Sequence, residues 1–345
     1  MTAPRRESPP PAELTARPQA ISARLLSRSL SGYLCGTHSG LLARRRGDRL
    51  GPEEIARAHA QLAPHAGSES LSLGPGPWRP VPAARRLAAA LRDELGAPAI
   101  VDLVIYGSQA RGGVTGYSDV DAILVIDDEA ARRPEALREL RPRVLRAQRH
   151  VLEYQPMQHH GFELATPSLL QVAGGALALP AEALAETATL FGHRLPAATT
   201  PATAAEARRR WQNFAAHLLA LRRWPRHPWS LHGAVSMFAL APALFAQAVG
   251  ERVPKWRSFE IGRRRFAGAW SPYETLREVR ERWPAGRPGG LTAMLRAGAN
   301  PWPAVDAWRR LPLGTPEPAR ALLTPRTLSD LHALVALMQA EVERS

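Results

Sequence analysis

Residues 101–126 read VDLVIYGSQARGGVTGYSDVDAILVI, and the reading of this stretch decides the fold. Valine, isoleucine and leucine dominate its two ends, while glycine, serine and polar residues fill the middle. The pattern predicts a buried strand, a turn holding Gly107 and Ser108, a polar excursion and a second strand. That second strand opens with Ser118-Asp119-Val120-Asp121. An unpaired carboxylate is expensive to bury, so two acids at the mouth of an apolar strand need a partner. Strand side chains alternate, which puts Asp119 and Asp121 on one face, roughly 6–7 Å apart along the chain. Such a pair suits magnesium, a hard ion commonly held by one or two carboxylates plus substrate phosphates. Two such ions can clamp an in-line phosphoryl displacement. Glycine at 107 permits close ligand approach. If Ser108 begins a short helix, its N–H group and hydroxyl face a phosphate, and Arg111 can reach the same anion.

Gly107-Ser108, twelve positions from Gly107 to Asp119, and then Asp-x-Asp together resemble the signature of the DNA polymerase beta-type nucleotidyltransferase superfamily. GSQARG followed by SDVD is most similar to its minimal and aminoglycoside-modifying members. The resemblance implies an α/β (α+β) domain with a mixed sheet, in which the Gly107-Ser108 turn receives a nucleoside triphosphate. It also implies that Asp119 and Asp121 hold two magnesium ions, with a third carboxylate from a later strand. Two runs, His150–Pro156 and Met157–Ala165, read as consecutive strands or one bent strand. Glu153, in the first, is chosen for the third carboxylate ahead of Glu163 in the second. His160-Gly161 resembles a His-Gly step of the aminoglycoside-modifying relatives. On a strand only one of His159 and His160 can face the aspartates. In related enzymes a basic residue of the helical domain can touch the triphosphate, and here that residue is Lys255, the single lysine of the chain.

Composition narrows the classes. The 345 residues carry 45 Lys and Arg against 31 Asp and Glu, a formal charge of +14. Such a surface attracts polyanions, nucleoside triphosphates and nucleic acids among them. No nucleic-acid-binding signature stands out, so nucleic acid is a possible but not favoured partner. With Cys35 alone, the chain has neither an internal disulfide framework nor a cysteine-based metal site. No secretory signal is evident near Arg5 and Arg6, and a cytoplasmic protein is expected. The uncharged run 227–250 contains His227, Ser230, His232 and Ser236, and reads as a buried bundle helix rather than a membrane span.

Along the chain, 1–75 is expected to be an extension, disordered to about residue 19 and helical over 20–44 and about 52–63, acting as a packing appendage. Residues 67–82 read as a linker. The nucleotidyltransferase-like unit is expected over 76–168: a helix with Leu87, Leu91 and Leu95 on one face, the strand 100–106, the strand 122–126 and a helix over 134–149. The acids Asp127, Asp128 and Glu129 read as solvated charge. An all-α domain is expected over 169–345, with a helix at 181–192, a Pro/Thr linker at 195–204, and a kink or break at Pro242. Capped helices are expected to open at Ser271-Pro272 and Thr324-Pro325.

These features predict a magnesium-dependent transferase that moves an NMP, with ATP the expected donor, to a small-molecule or protein acceptor and releases pyrophosphate. An antitoxin-like partner of another protein and a nucleotide-binding regulator that has lost catalysis are the alternative readings.

Overall fold

The structure is a computed structural model that describes residues 18–36, 50–62, 69–172, 179, 181–184, 186–199, 201–284, 295 and 298–345. The expectations for residues 1–17, and for a first helix continuing past Gly36, lie outside them.

A four-stranded mixed sheet forms the centre of the first half. Its strands are β2 (Ile100–Ile105), β3 (Ala122–Ile126), β4 (Glu163–Ala165) and β5 (Ala188–Thr189), in the order β4-β3-β2-β5. β2 runs antiparallel to β3 and β5, whereas β3 and β4 are parallel. The apolar runs that flank the Gly-Ser turn are therefore the two central strands. Every residue of β3 is buried, as expected for a strand covered on both faces. Helix α3 (Arg85–Leu95) buries Leu87, Leu91 and Leu95 and stops at Gly96, while α6 (Pro134–Tyr154) buries Leu137, Leu140, Val144 and Val151.

The N-terminal helix α1 (Pro18–Cys35) does specific work at the sheet edge. Ser27 and Ser31 lie one turn apart, and they satisfy both backbone groups of Leu164: Ser27 Oγ donates to its carbonyl at 2.5 Å, and its N–H donates to Ser31 Oγ at 3.0 Å. This blocks the exposed edge of β4, which would otherwise offer pairing groups to another chain. In α2 (Pro52–Ala60), buried His59 sits 2.9 Å from Thr166 Oγ1 and 3.2 Å from Asp128 Oδ1. Asp128 also accepts from the Ser168 hydroxyl. It is thus an engaged group rather than the solvated charge expected from the sequence. Burial opposes its ionisation, but these partners prevail and hold its pKa down at about 2.

The two expected linkers pair with each other. β1 (Glu69–Leu73) and β6 (Leu195–Thr199) form an antiparallel two-stranded sheet. Their alternating patterns, SLSL and LPAAT, carry the period of strands, and the Pro and Ser content masks it. The expected helix 181–192 is only α8 (Ala181–Leu184), and the next residues supply edge strand β5. Strands from beyond residue 168 thus belong to the first half. Buried Asp102 on β2 anchors the chain that follows β5, accepting from the N–H groups of Phe191 and His193 at 2.9 and 3.0 Å.

The C-terminal half is helical: α9 (Ala204–Leu219), α10 (Pro228–Ala248), α11 (Lys255–Arg265), α12 (Ser271–Glu281), α13 (Trp302–Trp308), α14 (Glu317–Leu322) and α15 (Pro325–Arg344). Its buried cluster is built on Trp211, Phe238, Phe245, Tyr273 and Trp308, and takes in Tyr117, Leu152 and Met157 from the first half. α10 is the one described helix long and apolar enough to cross a membrane, and 56% of its most apolar window is buried. It continues through Pro242 without interruption. Thr324 caps α15, but the cap expected from Ser271 is absent because Ser271 is already inside its helix.

Candidate active site

β2 ends at Ile105, and the chain turns at Gly107 into a short helix, α4 (Gly107–Arg111). Gly107 has φ +69°, and a Cβ there would sit 2.7 Å from Asp121 Oδ2. Two constraints select glycine here: the left-handed backbone and the approach of the carboxylate. The Tyr106 N–H donates to the Asp121 carbonyl at 3.1 Å, so the serine-bearing turn and the Asp-x-Asp segment are tied side by side.

Asp119 and Asp121 converge on one imidazole. His160 Nε2 lies 3.2 Å from Asp121 Oδ1 and 3.9 Å from Asp119 Oδ2. On the other side, His159 Nδ1 lies 3.4 Å from Asp119 Oδ2. Both histidines reach the pair because residues 157–162 are irregular, and strand alternation does not apply to them. His160 Nδ1 meets the Gly161 carbonyl at 2.9 Å, which fixes the ring and leaves Nε2 for the carboxylates.

Two glutamines, unanticipated from the sequence, hold this segment. Gln158 accepts from the Val120 N–H at 2.8 Å and donates to the Val120 carbonyl at 3.0 Å, so its amide takes the place of a neighbouring strand. Gln155 donates to the Ser118 carbonyl at 2.8 Å. Together they secure the backbone on both sides of Asp119. Tyr117 performs the corresponding task toward the helical half: its hydroxyl donates to the His232 carbonyl, its ring stacks on His232 at 3.9 Å, and Ser236 Oγ is 2.7 Å away.

The third carboxylate needs correction. Glu153 lies in the last turn of α6, not on a strand, with its carboxylate 3.9 Å from His150. The run from His150 to Tyr154 continues the helix because its apolar residues Val151 and Leu152 still meet the core at helical spacing. Glu163 opens β4, in parallel register with Ile123, two residues beyond Asp121 on the neighbouring strand. Burial and the negative charge of Asp121 raise its pKa, against the opposing charges of His160 and Arg28. Glu163, and not Glu153, therefore stands on the strand beside Asp121, near enough to feel its charge.

The remaining expected residues line a cavity of about 530 Å³ between the sheet and α11–α12. Its wall includes Gly107, Ser108, Arg111, Asp119, Asp121 and Lys255. Arg111 is turned toward Glu186, at 3.5 Å, across the cavity mouth. Lys255 opens α11 and is exposed to the cavity. Crowding by protein and the charges of Arg280 and Arg111 lower its pKa toward about 8, against the pull of Asp119 and Asp121. For Asp119, burial favours the neutral acid, but the charges of His160, His159, His232 and Lys255 outweigh it and hold the pKa low. Burial lowers the pKa values of His159 and His232, so at neutral pH His160 and Lys255 supply most of that field.

Donor chemistry fits a divalent cation. Ligand atoms of Asp119, His159 and His160 lie within 4.8 Å of one another, the Asp121 carboxylate is 3.2 Å from His160 Nε2, and Glu163 opens the adjoining strand. Carboxylates suit magnesium or manganese, and the imidazoles add donors that manganese and zinc accept more readily.

Residues 84–156 match the sequence model of the family described as a nucleotidyltransferase domain. The matched segment runs from the start of α3 to just past α6, and contains Gly107, Ser108, Asp119 and Asp121. It is a nucleotidyltransferase domain of the DNA polymerase beta-type superfamily, so the chain carries a transferase unit of the nucleotidyl kind, followed by a helical region. No curated protein and no solved structure matches the chain.

Proposed function

We propose that the protein transfers an NMP, with ATP as the donor, to a hydroxyl of an acceptor and releases pyrophosphate. The observation that carries this reading is the convergence of Asp119 and Asp121 beside the Gly107-Ser108 turn, in one cavity with Lys255. Ser108 and the turn's backbone bind the β- and γ-phosphates, and the Lys255 ammonium meets the triphosphate from the opposite wall. Asp119, Asp121 and Glu163 would hold two magnesium ions. Bound there, the ions supply Lewis-acid neutralisation of the charge that develops on the phosphates.

The protein's own residues do the rest. Gln155, Gln158 and Gly107 fix the positions of Asp119 and Asp121 before substrate arrives, and such preorganisation is where phosphoryl-transfer catalysts gain most of their rate. Glu163, which opens the strand beside Asp121, takes the proton of the attacking hydroxyl. The test is incubation with magnesium, ATP labelled at the α-phosphate and a panel of acceptors. The reading requires label on an acceptor together with release of unlabelled pyrophosphate. Label recovered only in AMP, ADP or unreacted ATP contradicts it.

A further inference from the structure

On the far side of the carboxylate cluster lies a larger cavity, of about 900 Å³. The two spaces adjoin at His160: its ring lines the larger cavity, while its Nε2 lies 3.2 Å from Asp121, which lines the smaller one. Glu163 lines the larger cavity only. The walls are α1, α10 and α13, none of which falls within the matched residues 84–156.

Two helix glycines face this cavity from opposite walls, Gly32 of α1 and Gly233 of α10. A Cβ built on either meets nothing within 4 Å. Glycine is unfavourable inside a helix, and here no close packing of a neighbour accounts for it. What the missing side chains leave is room. Leu240, Met237 and Trp229 turn apolar surface into the same space, and Leu240 is 36% exposed. Opposite them stands Arg28, which forms no ion pair among the described residues and whose charge is felt by Glu163. Arg309 is already engaged, held against the Trp229 ring at 3.7 Å and paired with Asp306 at 3.1 Å. Among the described residues lining the cavity, Glu163 and Asp306 are the carboxylates, and only Asp306 has an arginine bound to it.

We infer that this second cavity is the acceptor subsite, and that its acceptor is a largely apolar, hydroxyl-bearing molecule with an acidic group, not a polycation. The inference rests on the nucleotidyl-transfer reading and deepens it. Apolar surface from Leu240, Met237 and Trp229 takes the body of the acceptor, and Arg28 takes its anionic group. Its hydroxyl is presented at Glu163. In the reaction the hydroxyl oxygen bonds to the α-phosphorus and the bond from that phosphorus to the bridging oxygen breaks. Pyrophosphate leaves with the electron pair, and the hydroxyl proton passes to Glu163. A polyamine sugar would need several free carboxylates; of the two that line the cavity, Asp306 is paired with Arg309 and Glu163 is assigned to the cations.

Binding of two probes, 6-hydroxy-2-naphthoate and kanamycin, to the full chain with magnesium and α,β-methylene-ATP tests this. The naphthoate should bind at least tenfold more tightly than kanamycin. Gly233→Leu, whose Cβ meets nothing within 4 Å and whose remaining side chain takes up cavity space, and Arg28→Ala should each weaken naphthoate binding at least tenfold and leave α,β-methylene-ATP binding unchanged. Equal or tighter binding of kanamycin, or naphthoate binding indifferent to both variants, overturns the acceptor assignment alone. Failure of the wild-type chain to bind α,β-methylene-ATP overturns the nucleotide reading, and the acceptor subsite with it.

Discussion

Two stretches bring acids to this site, and they are built in opposite ways. In residues 101–126 the carboxylates sit on a segment whose structure follows from local pattern: apolar strand, glycine turn, apolar strand, with Asp119 and Asp121 two residues apart. In residues 150–165 the acid that matters is placed by pairing with a distant strand. Glu163 reaches the aspartates because β4 lies parallel to β3 with Glu163 opposite Ile123. Glu153, on the last turn of α6, reaches His150 instead. Local periodicity specifies the first arrangement, while only tertiary register specifies the second.

The sharpest way to break this contrast is to remove the locally specified acids. Asp119→Asn and Asp121→Asn should each reduce pyrophosphate release by about 10³-fold or more while the circular dichroism spectrum and melting temperature stay near the wild type. Retained activity in either variant would dissolve the site. Next comes the comparison of the two glutamates. Glu163→Gln should cost about 10²–10⁴-fold, the usual worth of a positioned general base, and Glu153→Gln no more than about threefold. The reverse ranking would restore Glu153.

A smaller effect tests whether side chains outside the acids hold the geometry. Gln158→Leu removes both bonds to Val120 and should lower kcat by about 10–100-fold with KM for ATP nearly unchanged, since misplacement of about 1 Å can cost that much. Lys255→Ala should instead raise KM for ATP, by about tenfold, with partial recovery in Lys255→Arg.

The smallest effect concerns stability. The folded-state pKa of Asp128 is depressed to about 2, below its unfolded value near 4. Its contribution is therefore complete above about pH 4 and lost as pH falls toward 2. With solvent reaching the carboxylate, the contribution is on the order of 1 kcal/mol. Asp128→Asn should lower the melting temperature at pH 7 and narrow the gap to the wild type at pH 2.5.

The same division explains what the sequence made legible. The mixed sheet, the Gly107 turn, the Asp pair and the helical C-terminal half follow from apolar periodicity and from a glycine wedged against a carboxylate. Lys255 was legible for a different reason, as the one ammonium in an arginine-rich chain. Concealed were the strands β1, β5 and β6, which are short and rich in Ser, Pro and Ala, and whose pairing is non-local. Gln155 and Gln158 were concealed as well, because a glutamine that imitates a strand backbone has no sequence signature. The role of α1 depends on two serines meeting Leu164 across more than 130 positions of chain.

The most direct test of the central claim is calorimetric titration of α,β-methylene-ATP with and without magnesium, on the wild-type chain and on Asp121→Asn. If the aspartates hold cations that bridge the protein to a triphosphate, magnesium should tighten binding to the wild type at least tenfold, and most of that gain should vanish in the variant. An equal gain from magnesium in both proteins would contradict the account.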